Sequence, residues 1–262
     1  MIKSFKINNF RGIHNLSIEH LNKINIITGE NNSGKTRILE TLLLLKNSFQ
    51  SDNLHEIICI KNEENILLDN KNSINIEYVT PIKHLCSDIT NPIIHNKEYK
   101  DKCVKMLQFF DNEIEDILTL KNTANYKNID FIKHQSLGIM PLNTFGNGIK
   151  QALTLAKAVI QSKDRMLLVD EVEISIHKNL FDKFFRFFVK ACSEFNVQAF
   201  ITTHSIEAID GLLATQDYQK QVDKDDISVI TIKKAAGQTH SRVLTGREAA
   251  TNRETFGFEV RL

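Results

Sequence analysis

The chain has 262 residues, 42% of them hydrophobic, and its 33 Lys and Arg nearly balance 32 Asp and Glu for a net charge of +1. Such a length can bury a full core, and the balanced charge excludes a generally basic nucleic-acid coat, although a local patch and a nucleic-acid partner stay open. Cys59, Cys86, Cys103 and Cys192 are scattered without a C-x-x-C pair, and no run approaches the roughly 18 apolar residues of a membrane span. The expectation is a cytoplasmic protein with reduced thiols, no signal peptide and no membrane partner.

In chain order, Ile2, Phe5, Ile7 and Phe10 begin an apolar alternation that turns at Arg11-Gly12 and resumes at Ile13, Leu16 and Ile18. This predicts a β-hairpin leading into the next strand, with Arg11, by itself, a surface charge at a turn.

The stretch Ile24 to Thr36 is a short apolar run followed by G-x-x-x-x-G-K-T and then a helical pattern at Ile38, Leu39, Leu42, Leu43 and Leu45. It reads as a P-loop. Gly29 and Gly34 let the backbone wrap a phosphate chain, so that Asn31, Asn32, Ser33 and Gly34 line the phosphates of ATP. Lys35 is expected to reach the β- and γ-phosphates and Thr36 to hold Mg²⁺. The following helix aims its positive end at the same anion.

From Ser51 to about Asp130 the periodicity is broken, which predicts strands around Ile66–Leu68 and Ile74–Val79 followed by a helical lobe. Within it, Val104, Leu107, Phe110, Ile114 and Ile117 have helical spacing and predict a helix over Glu98–Leu120. His55, His84 and His95 lack metal-ligand spacing and read as structural.

Order returns at Met140 to Leu153, where Asn143 or Thr144 is a candidate cap for a helix from about Asn147 to Ile160. Met166 to Glu171 is an apolar strand ending in two carboxylates. Asp170 is then a ligand of the Mg²⁺ shell and Glu171 a general base for the attacking water. A Phe-rich amphipathic helix leads into the strand Val197–Thr202, with His204 exposed at its carboxyl end as a γ-phosphate contact. The tail predicts a hairpin turning at Ala236-Gly237, a short helix, and Phe258–Val260 beyond it.

Together these motifs resemble the ABC-type ATPase heads of the RecF, SMC and OLD (overcoming lysogenization defect) group, most of all the small OLD-like bacterial ATPases. The likeness rests on Asn9-Phe10-Arg11-Gly12-Ile13, Walker A at Gly29–Thr36, a signature loop at Thr144–Gly148, Walker B at Leu167–Glu171, a D-loop at Glu173–His177 and an H-loop at Thr203-His204-Ser205. It implies an α/β P-loop NTPase fold: a head with N-terminal antiparallel β-strands, a mostly parallel core sheet flanked by helices, and a helical insertion lobe. One domain, 1–262, is expected, with 51–130 inserted between Walker A and the signature.

The resemblance further implies ATP and Mg²⁺ as cofactors and a homodimer sandwiching two nucleotides, in which Gly146, Asn147 and Gly148 of one copy meet the nucleotide on Lys35 of the other. It places Arg11 near the nucleotide. Thr144–Gly148 departs from the transporter form L-S-G-G-Q, and no Q-loop glutamine is evident, Gln135 being nearest in order. A transporter subunit is therefore disfavoured, and a RecF-like DNA-repair ATPase is the alternative.

A Toprim nuclease of the kind joined to OLD heads needs paired acidic strands. The segment after His204 offers only Asp223-Lys224-Asp225, which reads as a solvated turn. A separate effector, a nuclease or toxin under antiphage control, is the expectation.

Overall fold

The computed structural model describes residues 1–8, 10–44, 56–61, 64–66, 76–82, 89–121, 128–220, 225–235 and 237–256. Its organising element is the strand β3 (Ile24–Gly29), six residues buried throughout. An isoleucine-rich run whose buried Asn25 donates to the Asn22 and Ala199 carbonyls suits a central strand covered on both faces. It lies between β11 (Gln198–Thr202) and β12 (Ile227–Ala235), both parallel to it. Beyond β11 come β10 (Met166–Val169) and β6 (Ile76–Val79), also parallel, and beyond β12 the antiparallel β13 (Gln238–Thr245).

Side chains alternate across this sheet, so each strand feeds two cores. On one face, Ile27, Leu168 and Phe200 meet α1 (Lys35–Leu43) through Ile38, Leu39 and Leu42. A second sheet closes this face, with order β2 (Leu16–Ile18), β1 (Ser4–Asn8), β4 (Glu56–Lys61) and β5 (Glu64–Ile66), all antiparallel. Phe5 of β1 packs edge-on against Phe200 with ring centroids 6.3 Å apart. The predicted hairpin turn is present, closed by paired Phe10 and Ile13, with Arg11 and Gly12 both at positive φ.

On the other face, Ile26, Val169 and Ile201 meet α4 (Asn147–Gln161), α5 (Phe181–Glu194) and α6 (Ile206–Leu213). Phe184, Phe185 and Phe188 of α5 are buried here, and removing one such ring typically costs about 3–5 kcal/mol. The short α2 (Asn91–Ile94) and α3 (Lys97–Leu107) join the same core.

The predicted helix over Glu98–Leu120 stops early. Only α3 is helical, and Ile114 and Ile117 lie on β7 (Ile114–Lys121), the first strand of an antiparallel sheet with β8 (Asn128–His134) and β9 (Gly138–Pro141). A β-bulge between Ile114 and Asp116 adds a residue to the strand, so that side chains three apart are both buried and imitate helical spacing. The lobe thus adds a small sheet to its helices. The tail is the expected hairpin followed by α7 (Gly246–Phe256); Phe258–Val260, Asp223 and Lys224 lie outside the described residues. Asp225 accepts the backbone N–H groups of Ile227 and Arg247, an anchoring role at the start of α7.

Candidate nucleotide site

The loop after β3 turns through two left-handed residues, Asn32 (φ 62°) and Gly34 (φ 107°), so that successive N–H groups can point into one concavity. Gly29 has a reason beyond phosphate approach: at φ 142°, a Cβ there would sit 2.1 Å from the Ile232 carbonyl oxygen of β12. The start of α1 has neither a side-chain cap nor an acidic residue in its first turn, which leaves its N–H groups for an anion. Ser33 Oγ is buried without a hydrogen-bond partner among the described residues. The loop therefore fits phosphate.

Lys35 is buried and folds over its own loop, its Nζ donating to the carbonyl oxygens of Gly29 (2.9 Å) and Glu30 (2.8 Å). Burial pulls its pKa down from the usual lysine value, against the opposing pull of Glu171, Asp170 and Glu173.

At the carboxyl ends of β10 and β11 a second cluster faces Thr36. Thr36 Oγ1 donates to Asp170 at 3.2 and 3.3 Å across 134 residues of sequence. Thr202 Oγ1 donates to Asp170 Oδ1 at 2.6 Å and accepts the Glu171 N–H at 2.8 Å. The Tyr78 hydroxyl from β6 also bonds Asp170; burial first, then the charges of Asp170 and Glu40, push its pKa up, so it stays a donor. A hydroxyl beside a fixed carboxylate is a suitable protein share of an Mg²⁺ shell, since that ion takes few protein ligands and completes its shell with water and substrate phosphates.

Glu171 adopts a left-handed backbone (φ 52°), rare outside glycine, and its Oε1 lies 3.8 Å from His204 Nε2. His204 is set by Glu173, whose Oε1 accepts the backbone N–H of His204 (2.8 Å) and of Ser205 (3.3 Å). Ser205 then caps α6 by accepting the Ala208 N–H. Thr202 and Tyr78 are residues of this cluster that the motif reading passed over, and Glu173, read there only as the start of the D-loop, is the residue that holds the backbone of His204. Two threonines directly before His204 were the available signal.

Gly146, Asn147 and Gly148 form the first turn of α4, with Gly146 and Asn147 exposed. Neither Asn143 nor Thr144 caps this helix. Residues Leu142–Thr144 make a 3-10 turn, Thr144 Oγ1 donates back to the Pro141 carbonyl, and Gly146 takes the cap position without a side chain. A Cβ on Gly148 would meet the Ser175 carbonyl oxygen at 2.9 Å, so the first turn of α4 is seated on the segment after β10 that contains Ser175.

Lys35, Thr36, Asp170, Glu171 and His204 therefore gather at the ends of neighbouring strands. Gly146–Gly148 belong to a helix packed on the opposite sheet face from α1. Arg11 sits at the tip of the β1–β2 turn, 2.5 Å from Glu40 of α1 and largely exposed. Gln135 lies in the turn between β8 and β9, its N–H bonded to the Glu113 carbonyl.

Residues 1–139 match the family described as AAA ATPase domain. An ATP/GTP phosphatase of Helicobacter pylori is 22% identical over 84% of this chain and 90% of that protein. A DNA replication and repair protein RecF of Lachnoclostridium phytofermentans is 26% identical over 70% of this chain and 60% of its own length. The structure of an SMC head bound to the C-winged helix domain of ScpA superposes with a TM-score of 0.60 over 95% of this chain and 98% of that one, at 14% identity, a likeness of fold.

Proposed function

The chain belongs to the AAA ATPase domain family, and from that premise we propose that two copies close around ATP, hydrolyse it, and thereby control a separate effector protein. One observation carries the hydrolytic reading: β3, β10 and β11 deliver Lys35, Thr36, Asp170, Glu171 and His204 to one place. In this reading Lys35 leaves the Gly29 and Glu30 carbonyls for the β- and γ-phosphate oxygens. Mg²⁺ held by Thr36, Asp170 and phosphate oxygens would neutralise charge building on the leaving diphosphate. Glu171 accepts the proton of a water whose oxygen bonds the γ-phosphorus while the bond to the ADP oxygen breaks, and products leave as ADP and phosphate. In this reading His204, 3.8 Å from Glu171, donates toward a γ-phosphate oxygen.

The dimer is supported by the two faces of the sheet. The N-termini of α1 and α4 both lack side-chain caps and belong to helices on opposite faces of the sheet, so in this reading a second copy supplies the α4 end to the γ-phosphate held at α1. Neutralising the base should leave ATP bound but unspent. Glu171→Gln with ATP is therefore expected to run as a dimer in light scattering with hydrolysis abolished; a monomer at high concentration, or hydrolysis at the wild-type rate, refutes the scheme.

An effector that is a nuclease or toxin, and a role in antiviral defence, rest on the OLD-like motif set. A second reading, a DNA-repair ATPase, is favoured by the RecF relative. It requires ATP-dependent DNA binding that weakens steeply with salt, because phosphate contacts release counterions. A filter-binding titration at two salt concentrations separates the two.

A further inference from the structure

On the outer side of the α-helical layer, α3 and α5 leave a groove of about 470 Å³ between them. Two contacts fix its geometry. Lys102, at the middle of α3, pairs with Glu194 at the end of α5 (2.8 Å), whereas Phe109, just beyond α3, lies under Lys183 near the start of α5, 5.3 Å from the ring centroid. The helices therefore run antiparallel, and the groove follows α5 from Lys183 to Glu194, roughly 16 Å at 1.5 Å per residue.

The floor is apolar and the rims are basic. Tyr99 and Phe187 stack with centroids 6.2 Å apart, and Phe109 is 40% exposed, one of the few large apolar side chains open to solvent. Five cations line the groove against one carboxylate, Glu194, which Lys102 already engages. Arg186 is paired with Asp182, which leaves Lys105, Lys183 and Lys190 without a carboxylate partner among the described residues. In a chain of net charge +1 this is a local concentration of positive charge.

We propose that this groove is the docking site for an amphipathic helix of a partner protein, about three turns long, with an apolar stripe between acidic flanks. The walls are helices whose ridges define a groove for a third helix's ridge, and their backbone groups are bonded internally, so an added strand would find no edge to pair with. The unpaired lysines give the complementary charge. The proposal gives a chemistry to the partner in the proposed function and rests on that part of the reading, but it is tested without nucleotide, so it fails or stands independently of ATP turnover.

The probe is a display library of 14-residue helix-forming peptides selected on the intact protein alone, with the Lys183→Glu/Lys190→Glu double variant kept for the binding assays. Both positions are exposed and lie outside the nucleotide site, so the variant should keep wild-type basal ATPase activity. Winners are expected to share apolar residues at i, i+3 or i+4, and i+7 with Asp or Glu beside them. A labelled winner should bind the double variant at least about tenfold more weakly in fluorescence anisotropy, and Phe109→Ala should also weaken it. Winners without acidic flanks, an affinity unchanged by the charge reversals, or no winner at all would overturn the proposal. So would an oligo(dT) strand that binds the wild type and not the double variant, which would make the groove a nucleic-acid site.

Discussion

Replacing Thr202 by valine changes one hydroxyl into a methyl at a buried position without altering shape, and two bonds go with it. The bond to Asp170, at 2.6 Å and to a charged acceptor, is worth about 1.5–3 kcal/mol, and the Glu171 N–H left unpaired adds about 1–3 kcal/mol. The buried methyl returns about 0.8 kcal/mol. The net expectation is a loss of about 3 kcal/mol, which in a chain of this size lowers Tm by roughly 6–12 °C. Because the same N–H helps hold Glu171 at its positive φ, kcat should fall as well. Thermal unfolding followed by circular dichroism, with Thr202→Ser alongside, is the assay. The serine keeps the hydroxyl and should recover most of both losses. A shift below about 2 °C for Thr202→Val, or equal shifts for valine and serine, would refute the account of Thr202 as the link between Asp170 and Glu171.

Other perturbations read other parts of the site. Lys35 is held below its usual pKa by burial, and phosphates beside it must raise that value, so ATP binding at alkaline pH should take up a proton and weaken as pH rises. Calorimetry in two buffers of different ionisation enthalpy checks this: enthalpies that agree would contradict it, and Lys35→Arg should lose the effect. His204→Ala should cut kcat about 100-fold with little change in nucleotide affinity; equal losses in both would mark a structural histidine. Gly29→Ala would drive a Cβ into the Ile232 carbonyl, so urea unfolding should show about 3 kcal/mol of destabilisation even without nucleotide. A neutral result would show that β12 can yield at that point.

The parts legible in the sequence are those where chemistry dictates residue type at fixed spacing. Gly29, Gly34, Lys35 and Thr36 announce the turn between β3 and α1 because their spacing is that of a P-loop. The apolar strand ending in Asp170 and Glu171, and the next one reaching His204, follow for the same reason. What lies outside those demands was less readable. Ile114 and Ile117 mimic a helix because a bulge changes the strand period. Thr202 looks like any strand threonine until Asp170 arrives from 32 residues away. Gly29 is constrained by β12, over 200 residues later, as well as by phosphate, and no local pattern carries that information.

The ammonium of Lys35 rests on the carbonyls of Gly29 and Glu30, so the chain carries its own placeholder within the loop. With β3 and α1 locked into one core and the turn already wound, a phosphate chain arriving there exchanges two internal bonds for its own rather than ordering a coil. Capture is then governed by encounter, and rapid mixing with a fluorescent nucleotide should give a single phase whose rate rises linearly with ligand and without a plateau. If two chains close on ATP as proposed, the slow step falls after capture, in the meeting of surfaces, and the tempo of the response is set by how long a nucleotide waits for a second chain.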